Sequence, residues 1–247
     1  SAGAVATVMT VDMENPGRYG RVVRDDSGDV DRIVETKYPE HVPAEILVRN
    51  VRAVDARKPA AISLIYTVDV QVSQEDALLA RLERDPHVTR APDMAYHFVA
   101  RARQRPAQRP LVIGTGPCGL FAGLILAQMG LCPIILERGK PVRERTKDTF
   151  GLWRRRELNP ESNVQFGEGG AGTFSDGKLH SQIKDPRHYG RKVLTEFVQA
   201  GAPAEILYLN KPHIGTFRLV GVVEKLRATI TSLGGEIRFH SRVDDLD

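Results

Sequence analysis

The sequence predicts an α/β protein, and three observations carry that prediction. From residue 111 onward short apolar runs alternate with helical patterns. Nothing between Arg109 and Glu137 is charged, yet that stretch is broken by glycines and by Pro133. Two glycine-rich segments, one opening at Gly114 and one at Gly167, sit where strands give way to helices or loops. Strands alternating with helices argue for a parallel sheet with helical crossovers.

The chain has 247 residues, a net charge of +4, 41% hydrophobic and 27% charged residues. That composition fits a globular protein with a sizeable core and excludes a disordered one. The mild basic excess suits an anionic partner such as a nucleotide. Cys118 and Cys132 form neither a CxxC pair nor a metal-ligand spacing, so no metal is expected and a reducing, cytoplasmic setting is. The N-terminus lacks the basic flank of a signal peptide. The uncharged 109–137 stretch reads as strand, helix and strand rather than a membrane span, because Pro133 is costly inside a helix.

The elements follow in order. In residues 5–35, strand-like runs "VATVMTV", "GRVVRD" and "DRIVE" are separated by turn signals at Asn15-Pro16-Gly17 and Ser27-Gly28. Residues 1–43 are thus a β-rich segment, and 44–100 a small α+β domain. There Ile62, Leu64, Tyr66, Val68, Val70 and Val72 alternate as in a half-buried strand, and Ser73 is placed to cap a helix over 74–84. "AYHFVA" (95–100) reads as a short partner strand. "RARQRPAQRP" (101–110) reads as a basic, solvated linker. It lacks the interleaved aromatics of a nucleic-acid arm, so no nucleic acid is expected as a partner.

In 111–247, "LVI" (111–113) is a strand, 117–129 a helix and "PIILE" (133–137) a second strand. Further helices are expected near 189–200 and 219–233, the last stopped by Gly234-Gly235 before the strand "EIRFHSRV". Residues 138–163 read as polar and irregular.

Gly114, Gly116 and Gly119 form G-x-G-x-x-G between a strand and a helix, and Glu137 closes the second strand. Each residue type has a task. Gly114 permits the tight turn, Gly116 lets backbone approach a pyrophosphate, and Gly119 lets the helix lie near the sheet. The helix N-terminus offers unpaired N–H groups to phosphate. Glu137 is expected to accept hydrogen bonds from both ribose hydroxyls. The expected fold class is therefore α/β with a Rossmann-like FAD/NAD(P)-binding fold, incomplete within the chain.

The motifs "DARK" (55–58), "YTVDV" (66–70), "GPCGLFA" (116–122), "LERGKPVRERTKDTFGLW" (136–153), "NPESNVQFGEGGAGTFSDGKL" (159–179), "IKDPRH" (183–188) and "KPHIGTF" (211–217) resemble the bacterial FAD-dependent dehydrogenases related to glutathione-reductase-like flavoproteins. The resemblance implies FAD as cofactor. Gly114, Gly116 and Gly119, with Pro117 and Cys118 of the same turn, would hold the pyrophosphate. Glu137 would hold the adenosine ribose, with Arg138 beside it in the cofactor-binding set, and the Val243 backbone would meet adenine. The second run, with Gly169, Gly170, Thr173, Ser175, Gly177 and Lys178, would lie along the flavin. NAD(P)H would be the electron donor of the complete protein, the acceptor staying unidentified. The resemblance further implies that a later segment completes the site, so a non-catalytic FAD- or ADP-binding fragment is the alternative reading. Cys118 has no partner thiol for a redox disulfide, and His180 and His213 read as structural.

Residues 5–37 resemble instead a piece of bacterial N-acetylglucosamine-1-phosphate uridyltransferase. That resemblance implies sugar-nucleotide contacts at Gly20 and Glu35, but the triphosphate loop of a transferase is missing from the segment.

Overall fold

A computed structural model describes residues 74–179, 181, 183–209 and 211–245, together with five strands in the N-terminal part. Those strands are β1 (Ala6–Val11), β2 (Arg21–Arg24), β3 (Val30–Val34), β4 (Glu45–Asp55) and β5 (Ser63–Gln71). The chain divides into two compact units, Ser1–Asp93 with Leu207–Asn210, and Met94–Ile206 with Lys211–Asp247.

In the first unit β1, β5 and β4 form an antiparallel sheet in that order, and β2 and β3 pair as an antiparallel ladder. Residues 63–71 of the alternating run become β5, which lies between two partners; Ile62 and Val72 lie outside the described residues. Helix α1 (Glu75–Arg81) is shorter than the 74–84 expected, and its N-cap is Gln74 in a left-handed conformation with no side-chain cap. Ser73, the turns at 15–17 and 27–28, Gly20 and Glu35 lie outside the described residues.

The second unit holds the parallel sheet: β6 (Leu111–Ile113), β7 (Ile134–Leu136) and β8 (Glu236–Arg238), in the order β6-β7-β8. Leu111, Val112 and Ile113 stand opposite Ile134, Ile135 and Leu136, which in turn face Glu236, Ile237 and Arg238. Helix α2 (Pro117–Gln128) connects β6 to β7. Helices α3 (Val142–Arg155), α4 (Tyr189–Gln199) and α5 (Thr216–Ser232) lie between β7 and β8. A 3-10 turn occupies Ala171–Phe174. Apolar residues on every side of α2 match its position in the core. Leu120, Leu124 and Ala127 of α2 pack with Ile135 of β7 and with Leu219, Val222, Val223, Leu226 and Ile230 of α5. Burial at 219, 222, 223, 226 and 230 is the 3.6-residue period of a helix with one core face. Past α5 the chain reverses at Gly234 (φ +87), and Gly235 N–H donates to Ile230 O at 2.9 Å.

Three expectations change. "AYHFVA" forms no strand. Residues 138–163 are not irregular throughout, because Val142–Arg155 is a fourteen-residue helix. Its core face is narrow: Val142, Arg145 and Thr149 are buried at helical spacing, and a charged residue in the middle of that face conceals the period in the sequence. Third, the connector 101–110 belongs with the second unit. Arg109 donates from Nε to Cys132 O at 2.6 Å and from Nη1 to Glu236 Oε2 at 2.8 Å, tying β8 to the loop before β7. Among the described residues no helix is long and apolar enough to cross a membrane.

The packing of α2 on β7 generates a test. A Cβ at Gly123 would sit 2.3 Å from Ile135 Cδ1, inside a core where Ile135 is fully buried. Gly123→Ala is expected to destabilise by about 1–3 kcal/mol through overpacking. Ile135→Val removes the offending methyl. The double variant should therefore melt higher than the sum of the two single effects predicts, as read by thermal denaturation.

Candidate functional site

The site is built where β6 ends. Gly114 adopts φ +88, a conformation that side-chain-bearing residues rarely reach, and its N–H donates to Leu136 O at 2.7 Å. Gly116 is the N-cap of α2 in an extended conformation (φ −64, ψ 177), followed by Pro117 at the first helical position. A Cβ at Gly119 would lie 2.0 Å from Gly114 O, so only glycine lets the helix start this close to the turn. Gly116 differs, since nothing lies within 4 Å of its Cβ position. The space in front of it is open, and the first N–H groups of α2 have no intrahelical acceptor there.

Glu137 at the end of β7 is 4% exposed. Its Oε2 accepts from the Thr115 N–H at 2.8 Å and from Thr115 Oγ1 at 2.6 Å, and its Oε1 accepts from the Gly139 N–H at 2.7 Å. A carboxylate offers about four acceptor positions. Three are taken by the protein itself, so contact with both hydroxyls of a ribose requires one of these bonds to be exchanged. Thr115 is fully buried, and its own carbonyl accepts from the Gly169 N–H at 2.8 Å. The first glycine turn is thereby hydrogen-bonded to both the second strand and the second glycine run.

Arg145, fully buried on α3, organises that second run. It donates from Nε to Asn163 O (2.8 Å), from Nη1 to Glu168 O (2.7 Å) and Gly170 O (2.8 Å), and from Nη2 to Val164 O (2.7 Å). Its guanidinium lies 4.8 Å from the centre of the Phe174 ring. Burial pushes its pKa down to about 10, which leaves it charged at neutral pH. The reciprocal contact runs the other way. Glu168, from the loop, accepts the Val142 N–H at 2.7 Å and so caps α3, whose N-cap position is Pro141 with no side chain to offer. The same oxygen receives Arg227 Nη1 of α5 at 2.9 Å, while Glu168 Oε1 is buried without a hydrogen-bond partner. Burial raises the Glu168 pKa, against the pull of Val142 N–H and Arg227.

These contacts explain the glycines. A Cβ at Gly167 (φ +117) would lie 2.4 Å from Arg145 Cδ. One at Gly170 (φ +66) would lie 3.0 Å from Pro117 Cδ and 3.2 Å from Gly116 Cα. The two glycine segments pack backbone against backbone.

Most of the remaining expected residues gather in one pocket. Pro117, Gly169, Thr173, Ser175, Gly177 and Lys178 line one pocket of about 200 Å³ together with apolar residues of α2, α4 and α5. Ser175 Oγ donates to Gly172 O and accepts the Gly177 N–H, and Lys178 pairs with Asp176 at 3.1 Å on the surface. Arg138 is tied to Glu161 at 2.8 Å and stacks on Phe166. Val243 follows β8, two residues after Ser241, whose N–H donates to Glu137 O at 2.8 Å. Cys118 is exposed and Cys132 partly buried, and neither is in a disulfide. His213 forms an isolated bridge with Lys178, and His180 lies outside the described residues. Among the described residues no cluster of His, Cys, Asp or Glu could hold a metal ion. Sequence reasoning missed Thr115, Arg145 and Glu168. No local signal marks Arg145, because the charge it places in the core face of α3 hides the helical period.

No family model matches the chain. It is 44% identical over 195 residues to an uncharacterized protein of Clostridium beijerinckii, a match that takes in 79% of this chain and 36% of that protein. The chain thus spans about a third of that relative's length. Shorter matches run to the bifunctional protein GlmU of Pelobacter propionicus, 51% identical over 53 residues, and of Pelotomaculum thermopropionicum, 47% identical over 51 residues. They cover 22% and 21% of this chain and 11% of each of those proteins. The resemblance to FAD-dependent dehydrogenases is corrected by these findings: the extensive similarity is to a protein of no described activity. The GlmU similarity is confined to a short stretch.

Two outcomes test the loop clamp. Arg145→Met leaves three buried carbonyls and the half-buried one of Val164 without their donor and is expected to destabilise by about 3–5 kcal/mol, read by chemical denaturation. Glu168→Gln tests the buried carboxyl. Because the folded pKa lies above the unfolded value near 4.5, its contribution to stability is full below that value and is lost as pH rises through the folded pKa. Wild type measured against Glu168→Gln should therefore lose relative stability as pH rises above about 4.5, and a flat difference would contradict the burial argument.

Proposed function

We propose that the second unit binds an adenine dinucleotide, FAD, and forms the cofactor-binding part of a flavin-dependent oxidoreductase fed by NAD(P)H. The observation that carries this reading is the open Cα face of Gly116 at the N-terminus of α2. It sits on a turn in which Gly114 and Gly119 have steric reasons to be glycine and Gly116 has none within the protein. A glycine with free space in front of it, at a helix N-terminus ending a parallel strand, suits close approach of a pyrophosphate. The Thr115–Glu137–Gly139 hydrogen bonds hold that turn rigid, and Arg145 holds the second run against it. Bound FAD would supply two-electron chemistry towards an acceptor that the chain does not identify. A second reading, binding without turnover, is favoured by the state of the polar side chains at the pocket: the Ser175 hydroxyl and the Lys178 ammonium are engaged within the protein.

Flavin absorbance after incubation with FAD and desalting tests the proposal. Wild type is expected to retain flavin. Gly116→Ser places a side chain in the open space at a position where serine is a favourable N-cap, so stability should change by only a few tenths of a kcal/mol while affinity falls at least about tenfold. Glu137→Ala is a different control. It strips the acceptor from two backbone N–H groups and should lower both melting temperature and flavin retention. A folded wild-type chain that retains no flavin would overturn the reading.

A further inference from the structure

We propose that the pocket between the start of α2, the second glycine run and α5 is a binding site for an uncharged, apolar, single-ring group of benzene to toluene size. The pocket measures about 200 Å³. Cavities of about 150 Å³ with aliphatic and aromatic walls accept benzene, so the volume suits one ring and excludes a fused polycycle lying wholly inside. Its walls are Leu120 and Phe121 of α2, Phe197 of α4, and Leu219, Val223 and Leu226 of α5. Phe121 and Phe197 meet edge to face with centroids 5.3 Å apart, an arrangement a third ring can extend.

The opposite side of the pocket is backbone. Gly169, Gly172 and Gly177 contribute no side chains, so a flat ring can approach the peptide planes of the second glycine run closely. The polar groups nearby are few, and the one charge among them lies at the surface. Lys178 pairs with Asp176 at 3.1 Å on the solvent side, the Ser175 hydroxyl donates to Gly172 O, and the Thr173 hydroxyl, buried without a hydrogen-bond partner, offers one neutral group. A charged ligand inside would lose its hydration for at most that one neutral hydroxyl. The pocket adjoins the first glycine turn through Pro117, so two sources can deliver such a ring: the outermost ring of a fused system carried by a dinucleotide bound at the turn, the rest of that system staying outside, or a separate ring-bearing acceptor. The proposal does not depend on which, nor on the FAD reading itself.

Toluene is the probe, followed by methyl NMR of the leucine and valine side chains of the whole chain. Saturable shifts are expected at Leu120, Leu219, Val223 and Leu226, with benzoate at least tenfold weaker. Gly172→Phe should weaken toluene at least tenfold without lowering the melting temperature, because nothing lies within 4 Å of the Gly172 Cβ position. Leu219→Phe is a second filling variant should the first fail to fold. Absence of saturable shifts up to the solubility of toluene overturns the proposal, as do shifts spread evenly over core methyls or binding unaffected in both filled variants. Repeating the titration after FAD incubation separates the sources. Loss of the toluene shifts assigns the ring to the bound dinucleotide, and their persistence with FAD bound assigns it to a separate molecule. Failure of FAD to bind counts against the dinucleotide reading alone.

Discussion

The buried guanidinium of Arg145 is the constraint on which the arrangement of the second unit depends. Four carbonyls of residues 163–170 converge on it. A loop that turns its carbonyls inward leaves them without water, and a planar group with five N–H donors is the side chain able to satisfy several at once. The cost of burying its charge is offset by those carbonyls and by the opposite charges of Glu137 and Glu168 nearby. Glu168 completes the exchange by capping α3, so helix and loop hold each other. Neither half of this exchange is available to α3 or to the loop alone.

Close packing around Arg145 and the first turn accounts for two glycines of the second run, Gly167 and Gly170. A glycine-rich loop invites the reading that its backbone approaches a ligand. In the fold, Gly167 accommodates the stem of Arg145, and Gly170 lies against Gly116 and Pro117. At these two positions the close approach is made to the protein itself, to the Arg145 side chain and to the Gly116-Pro117 turn. Room for something else remains at Gly116 and at Gly172, where no atom stands within 4 Å of the missing Cβ. Those two positions bound the two sites proposed above, one at the helix N-terminus and one in the apolar pocket.

Glu137 shows how a residue expected to serve a ligand can serve the fold as well. Its carboxylate joins the first turn to the segment after β7 through Thr115 and Gly139, in a place 4% exposed. Dinucleotide binding as proposed therefore draws on a carboxylate already committed to structure. Loss of that residue disturbs the turn before it disturbs any ligand.

The sequence by itself determined the parallel core: β6, α2, β7 and α5 lie where apolar period and glycine breaks put them, α2 starts at the G-x-G-x-x-G turn, and β8 follows Gly234-Gly235 but takes only Glu236–Arg238 of the run "EIRFHSRV". These signals are local. A 3.6-residue period, a proline at a helix start or a glycine after a helix end reports on neighbours a few residues away. The tertiary structure alone decided that α3 is a helix, since its core face carries a charged residue. It alone brought Arg145 to the carbonyls of residues 163–170 and Glu168 to the N-terminus of α3. It alone gathered Leu120, Phe197 and Leu226 around one pocket. Those pairings join residues distant along the chain, and their energy comes from satisfying groups that burial has cut off from water. No local pattern in the sequence encodes which distant group will do so.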